Sequence, residues 1–258
     1  MGLGLWKLVA IFAAAVAAGM INSVAGGGTL LTFPTLVWVG LDPIVANVTS
    51  TVALWPGSLG AMVGFRRELG SSQRWMAVLG PPSIAGGLFG AFLLLRTPSR
   101  TFSAIVPFLI LFATLLLAVQ EPITRALRLH GPAAGASRIR RWWLGAATFQ
   151  FLVSTYGGYF GAGMGIMMLA ALGLLGLTDI HQMNGLKNFF AVCINLIAAA
   201  YFMTWGPVSW GDALVMAIGA IVGGYGGAGL ARRLGRTFVR RTVVVIGVGM
   251  AVSLFWRG

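Results

Sequence analysis

Asn184, Lys187 and Asn188 stand at i, i+3 and i+4 in the stretch NGLKN, at the head of a long apolar run. Residues at that spacing share one face of a helix. An ammonium and two amides pointing the same way suit a small anion, because one supplies charge and the others supply N–H donors. A lysine at membrane depth costs about 2.5–3.5 kcal/mol at a helix centre on insertion scales. In one reading Lys187 snorkels to the headgroups and only marks the cytoplasmic side. In the other it turns inward with the two asparagines and pairs with an anion. A lipid-facing stripe of that polarity is hard to sustain, which favours the second.

Two glycine clusters carry a related chemistry. GMINSVAGGGTLLTFP, residues 19 to 34, holds Gly26, Gly27 and Gly28 inside an apolar run, and GAGMG, residues 161 to 165, holds Gly161, Gly163 and Gly165. Glycine in a helix interior costs about 1 kcal/mol relative to alanine. A break there ends one helix and starts another, leaving N–H groups without intrahelical partners. Those groups and the positive end of the helix dipole favour an anion. Close helix packing is the competing account of the glycines. Asn22, Ser23 and Thr29 flank the first cluster, while Ser154, Thr155, Tyr156 and Tyr159 precede the second. NVTST, with Asn47, Thr49 and Ser50, opens the following apolar span as NGLKN does in the second case. Asn47 and Asn184 read either as N-caps or as helix starts turned toward a polar cavity.

The elements that must position these residues are membrane helices. The 258 residues are 58% hydrophobic and 9% charged, against roughly 25% charged in soluble domains. Apolar stretches long enough to span a bilayer recur along the chain, so an all-α polytopic protein of the cell membrane is expected, in bacterial terms the inner membrane. The net charge of +13 comes from arginines in short loops, as in cytoplasmic loops, and nucleic acid is not an expected partner. The first residues imitate a signal peptide, but they have a counterpart inside the chain and are read as retained. Cys193 is the sole cysteine, which excludes an intramolecular disulfide.

Sliding the chain against itself by 137 positions aligns Gly26 and Gly28 with Gly163 and Gly165, Asp42 with Asp179, Asn47 with Asn184, and Gly86, Gly87 and Gly90 with Gly223, Gly224 and Gly227. Two homologous halves follow: residues 1–120, a basic cytoplasmic linker over 121–141, and residues 142–258. Expected segments are 4–24, 28–39, 44–65, 75–95 and 101–119, then 142–160, 164–176, 183–204, 212–231 and 240–256. If each glycine cluster interrupts a single crossing, the halves run parallel and the basic residues divide 10 to 8. If each forms a hairpin, re-entrant or fully crossing, the halves are inverted. Loops 66–74, 120–141, 177–187 and 232–241 then share a side with 14 basic residues against 4. The positive-inside rule prefers this inverted repeat, with both termini outside. Inverted repeats with glycine-interrupted segments at matching positions point to a transporter site near the midplane. There the two clusters face each other.

The pattern N-S-x-A-G-G-G-T-x-L-x-x-P over residues 22–34, followed by A-N-x-T-S over 46–50, resembles the first-half signature of the TauE/SafE, or sulfite exporter, family of membrane transporters. The likeness covers essentially the whole chain, although the second half lacks the Thr-Ser pair and carries Lys187-Asn188 in that region. The resemblance implies transport of a small anion such as sulfite, a sulfonate or a related sulfur-containing or carboxylate anion, by alternating access and without enzymatic chemistry or cofactor. It leaves room for a coupling proton or cation and for a homodimer. A membrane scaffold or enzyme subunit whose glycines serve packing is the alternative.

GYGGAG, residues 224–229, matches a dinucleotide fingerprint but has neither the strand nor the βαβ unit that the motif needs. Tight helix packing is the better account of Gly86, Gly90, Gly223 and Gly227. His181, Asp179 and Asp212 form no nucleophile–base pair and no clear metal set. Trp142, Trp143, Trp205 and Trp210 fit interfacial anchors.

Overall fold

Hydrocarbon offers no partner for a backbone N–H or C=O, so an apolar chain in lipid must pair its backbone within helices or closed barrels. The computed structural model describes residues 2–24, 27–64, 69–70, 72–119, 139–175, 177, 179–234, 244–246, 248–249 and 251–252, and among them there is no strand. The helices are α1 (Gly2–Val24), α2 (Thr29–Val39), α3 (Pro43–Gly64), α4 (Gln73–Arg96) and α5 (Ser99–Ala118) in the first half. The second half holds α6 (Ile139–Tyr159), α7 (Met164–Leu174), α8 (Ile180–Trp205) and α9 (Trp210–Leu234). Four described helices are long and apolar enough to cross a membrane, in α1, α4, α5 and α8.

Most boundaries fall within two or three residues of the expected segments. The expected linker differs at its end: Ile139, Arg140 and Arg141 already belong to α6. Most of that linker and most of the expected segment 240–256 lie outside the described residues.

At eleven residues each, α2 and α7 reach only about 16 Å at 1.5 Å per residue, roughly half the hydrocarbon thickness. Helix α2 folds back along α1, and Lys7 Nζ donates to the carbonyl of Val39 at its far end (2.9 Å). It stops at Gly40, whose φ of 109° lets the next turn pair the orphan carbonyls of Leu36 and Val37 in a C-capping motif. Pro43 then opens α3, where a missing N–H costs nothing. The matched aspartates are the caps of this region: Asp42 Oδ1 accepts from Ile44 N, and Asp179 Oδ1 accepts from His181 N, both at 2.9 Å. Asn47 and Asn184 are therefore not N-caps. They lie one turn inside α3 and α8, where both are buried.

Small residues set the closest helix contacts. A β-carbon on Gly19 or Gly223 would strike the carbonyls of Ala220 or Val16, joining α1 to α9. One on Gly86 or Gly90 would strike those of Phe151 or Thr155, joining α4 to α6. Gly227 falls where side-chain surroundings are not described. In both pairs residue numbers rise together, so the partners are parallel. Helix α3 likewise runs with α9, where Ser209 N donates to Thr49 Oγ1 (3.0 Å) and Gly57 meets Ala220. Helix α4 runs with α8, through Gln182 Nε2 donating to Ser72 Oγ (3.0 Å) and Gly87 against Ile194. Helices α3 and α8 oppose each other: Val48 lies against Gly206, beyond the end of α8, while Ser58 and Lys187 share a cavity. Thus α1, α3 and α9 run one way and α4, α6 and α8 the other.

Candidate functional site

The two glycine clusters meet at one cavity. It measures about 60 Å³ and is lined from the first half by Asn22, Gly27, Thr29, Thr51, Leu54 and Ser58. From the second half come Phe160, Gly161, Met164, Gly165, Lys187, Asn188, Ala191 and Asn195.

The first break is built around Asn22, on the last turns of α1. Its Oδ1 accepts from Gly27 N (3.2 Å) and Gly28 N (2.8 Å). Two N–H groups expected to await an anion are thus already occupied, because an amide oxygen five and six residues back is ideally placed to cap the turn. Gly27 has φ 112°, and a β-carbon there would meet nothing closer than Leu30 Cδ1 at 3.9 Å. Packing does not require this glycine; its backbone conformation does. Gly28 is the opposite case, with Ala18 O 2.7 Å and Asn22 Nδ2 2.9 Å from the position of an added β-carbon. Gly26 lies outside the described residues, as do the surroundings of the Ser23 side chain.

The second break uses Gly161 (φ 81°) and Gly163 (φ 76°) to turn from α6 into α7. Tyr156 donates its hydroxyl to the carbonyl of Ala162 (2.7 Å), clasping the loop. A β-carbon on Gly163 would stand 3.3 Å from Ala113 Cα, and Gly163 does not line the cavity. Gly165 does, and a β-carbon on it would stand 3.2 Å from Lys187 Cδ. The lysine stem lies across the first turn of α7 where only glycine leaves room.

Lys187 is 3% exposed. It does not snorkel to the surface, because its place seven residues into α8 directs it toward Gly165 and the cavity. Asn188 lines the cavity beside it, and Asn184 is buried on the same helix face without reaching the lining.

The remaining candidates are held by protein contacts. Asn47 Nδ2 donates to the carbonyl of Tyr159 (2.8 Å), tying α3 to the end of α6, while its buried Oδ1 has no partner. Thr49 accepts from Ser209 N. Ser50 Oγ pairs with Thr32 Oγ1 at 2.7 Å in a buried contact. Tyr159 donates its hydroxyl to Thr97 Oγ1 (3.3 Å) and packs edge-on against Phe102.

Thr51, Ser58 and Asn195 line the cavity although sequence reasoning passed over them. The repeat held the signal: at the separation of 137 residues, Thr51 pairs with Asn188, Leu54 with Ala191, Ser58 with Asn195 and Gly27 with Met164. Eight of the fourteen lining residues thus form four equivalent pairs, one member from each half. Among the described residues no group of three His, Cys, Asp or Glu side chains gathers as a metal set. Asp212 accepts from Ser209 Oγ (2.7 Å) in the first turn of α9, and His181 is exposed in the first turn of α8. Trp205 and Trp210 are exposed at helix ends, while Trp143 packs at a tilt of 47° against Trp75 beneath Arg74.

Residues 11–254 match the family described as Sulfite exporter TauE/SafE. A probable membrane transporter protein of Haemophilus influenzae is 30% identical, over 99% of this chain and 97% of its own length. Probable membrane transporter proteins of a Sinorhizobium species and of Escherichia coli K12 are 26% and 25% identical. Those alignments take in 96% and 95% of this chain and 92% and 88% of the relatives. No solved structure matches the chain.

Proposed function

Since the chain belongs to the Sulfite exporter TauE/SafE family of multi-pass membrane transporters, we propose that it carries a small anion, such as sulfite, a sulfonate or a related sulfur-containing anion, across the cytoplasmic membrane. The anion is held between the two glycine breaks and moved by alternating access. The observation that carries this reading is a buried lysine in a cavity shared by both breaks. An intramembrane cation is costly and marks a pathway or a site. Lys187 supplies the charge, the first turn of α7 supplies helix-end N–H groups, and Asn188 and Asn195 supply amide donors. A packing role accounts for Gly28 and the positive φ accounts for Gly27, so the reading rests on the buried lysine and not on the glycines.

The inverted repeat gives alternating access a physical basis. Three equivalent pairs, α1 with α6, α3 with α8 and α4 with α9, run in opposite directions, which supports a pseudo-twofold axis in the membrane plane. Related halves can then exchange conformations around a fixed site. Flux into proteoliposomes, by radiotracer sulfite or by solid-supported-membrane current, tests the reading. Wild type should show saturable anion-dependent flux. Lys187→Gln should lose it and Lys187→Arg should retain part, because the charge survives while its compact shape does not. Absence of flux in wild type, or near-native flux in both variants, would remove the anion role. Orientation is tested on a Cys193→Ala background. Gly70→Cys and His181→Cys should be shielded together from an impermeant external thiol reagent while Arg100→Cys is labelled.

A further inference from the structure

We propose that Phe33 and Phe160 form a gate that shuts the cavity toward the face carrying loops 40–42 and 97–98, and that Asn47 latches it. This rests on the reading of the cavity as the site of a transported anion, because alternating access needs a site shut on one face at a time. Phe160 lines the cavity, and Phe33 packs edge-on against it with ring centroids 5.4 Å apart. Both are 2% exposed or less. Helix α2 runs from Thr29, in the cavity lining, to Gly40, so Phe33 lies between the cavity and loop 40–42. Phe33 also meets Phe102, in the first turn of α5, at 6.3 Å. The rings thus form a column from the cavity wall to the turn that joins α4 to α5.

Hydrogen bonds tie the same layer together. Asn47 Nδ2 on α3 donates to the Tyr159 carbonyl at the end of α6 (2.8 Å), and the Tyr159 hydroxyl donates to Thr97 Oγ1 (3.3 Å). Ser99 Oγ donates to Asp42 Oδ1 (3.3 Å), linking the two loops. The contacts of Phe33 with Phe160 and of Asn47 with Tyr159 each join one half of the chain to the other. A movement of the halves that opens this face must break both. Two observations separate the layer from ordinary core packing. At the separation of 137 residues Phe33 corresponds to Ala170 and Phe160 to Ser23, so the matching positions hold no rings. Asn47 Oδ1, moreover, is buried without a partner among the described residues. An unmet buried acceptor works against the closed arrangement, and water admitted on opening would satisfy it. A latch that holds through Nδ2 and is penalised through Oδ1 suits a closure that must also open.

The test reads access to the cavity by cysteine labelling of the full-length protein on a Cys193→Ala background. Thr51→Cys places a thiol in the cavity wall, and Ala191→Cys, also in the lining, serves if that variant fails to fold. An impermeant thiol reagent is applied from whichever face labels Arg100→Cys, an exposed position beside the gate. The result then does not depend on which face is cytoplasmic. Closure that leaves the open state populated at about 10% or less slows reaction through that state by the same fraction. Phe33→Ala should therefore raise the labelling rate of Thr51→Cys by about tenfold or more, with Phe160→Ala as the second variant. Phe33→Leu, which keeps apolar bulk, should stay nearer the intact rate. Thr114→Cys, buried on α5 and absent from the cavity lining, should stay unreactive throughout. Rapid labelling of the cavity cysteine with both rings intact, or an unchanged rate in folded alanine variants, would overturn the gate. So would labelling of Thr114→Cys in step with it, since that is general loosening. Labelling is read without any anion. Saturable wild-type flux beside an unchanged labelling rate would overturn the gate alone, whereas a ring-dependent rate without wild-type flux would remove the transport reading and the gate with it.

Discussion

The two glycine breaks occupy equivalent positions in the repeat, yet they treat their polar groups in opposite ways. At the first break Asn22 turns back on the chain and absorbs the N–H groups of Gly27 and Gly28, while Ser50 and Thr32 satisfy each other. At the second break the position of Asn22 is taken by Tyr159, the position of Ser50 by Lys187 and that of Thr32 by Leu169. No amide folds back from Tyr159, and the lysine crosses Gly165 into the cavity. The sequence match at 137 residues goes with a similar local shape but not with the same hydrogen bonds. In the proposed site the first half therefore contributes a neutral wall and the second half the lysine.

The largest effect that would break this comparison is expected at Gly27. Leucine at φ 112° is held in a conformation that costs about 1–3 kcal/mol, and its side chain fills the cavity. Gly27→Leu should abolish flux in a protein that still elutes as a folded species. Met164→Trp, at the equivalent position, should also block flux, but less completely, because a side chain is already accommodated there. Normal flux in Gly27→Leu would show that this wall does not bound the site.

Asn22 sharpens the comparison at the next level. Asn22→Ala leaves two N–H groups unpaired, a loss of about 1–3 kcal/mol for each that stays buried, so the melting temperature should fall. Asn22→Asp keeps an acceptor for both groups but places a negative charge in the wall. Stability should therefore survive better than in the alanine variant while anion affinity falls further, by tenfold or more, about 1.4 kcal/mol. Equal affinities in the two variants would mean that Asn22 does not face the anion. The smallest effect is expected at Ser50. Ser50→Ala removes one hydroxyl pair, worth about 0.5–1.5 kcal/mol, and should lower thermal stability slightly with anion affinity unchanged. A loss of affinity comparable to that of Lys187→Gln would erase the functional difference between the halves.

Much of this organisation was legible before any coordinates. The helix boundaries follow from apolar runs ended by glycine, proline and aspartate, whose backbone effects are local. For Lys187 the spacing from Asn184 and Asn188 identifies a helix face and so favoured the inward reading over snorkelling, and burial places the side chain inside. The run NVTST was harder to resolve. Each step along a helix turns the side chain by about 100°, so neighbours at 47 to 51 point in different directions. Contacts with α6, α9 and α2 take up Asn47, Thr49 and Ser50, which leaves Thr51 for the cavity. The capping role of Asn22 was hidden for a related reason. An amide near a glycine turn can face a ligand or serve the turn itself, and the choice lies in a side-chain torsion.

By itself the sequence determined that this is an all-helical membrane protein, and it displayed matched glycine clusters, matched aspartates and a lysine sharing one helix face with two asparagines. Those properties depend on composition, on periodicity and on backbone rules that act within a few residues. The tertiary structure decided which polar groups remain for a ligand. That question depends on how helices from both halves rotate against one another, and it is settled only when groups more than a hundred positions apart, such as Asn47 Nδ2 and the Tyr159 carbonyl, hydrogen-bond each other first.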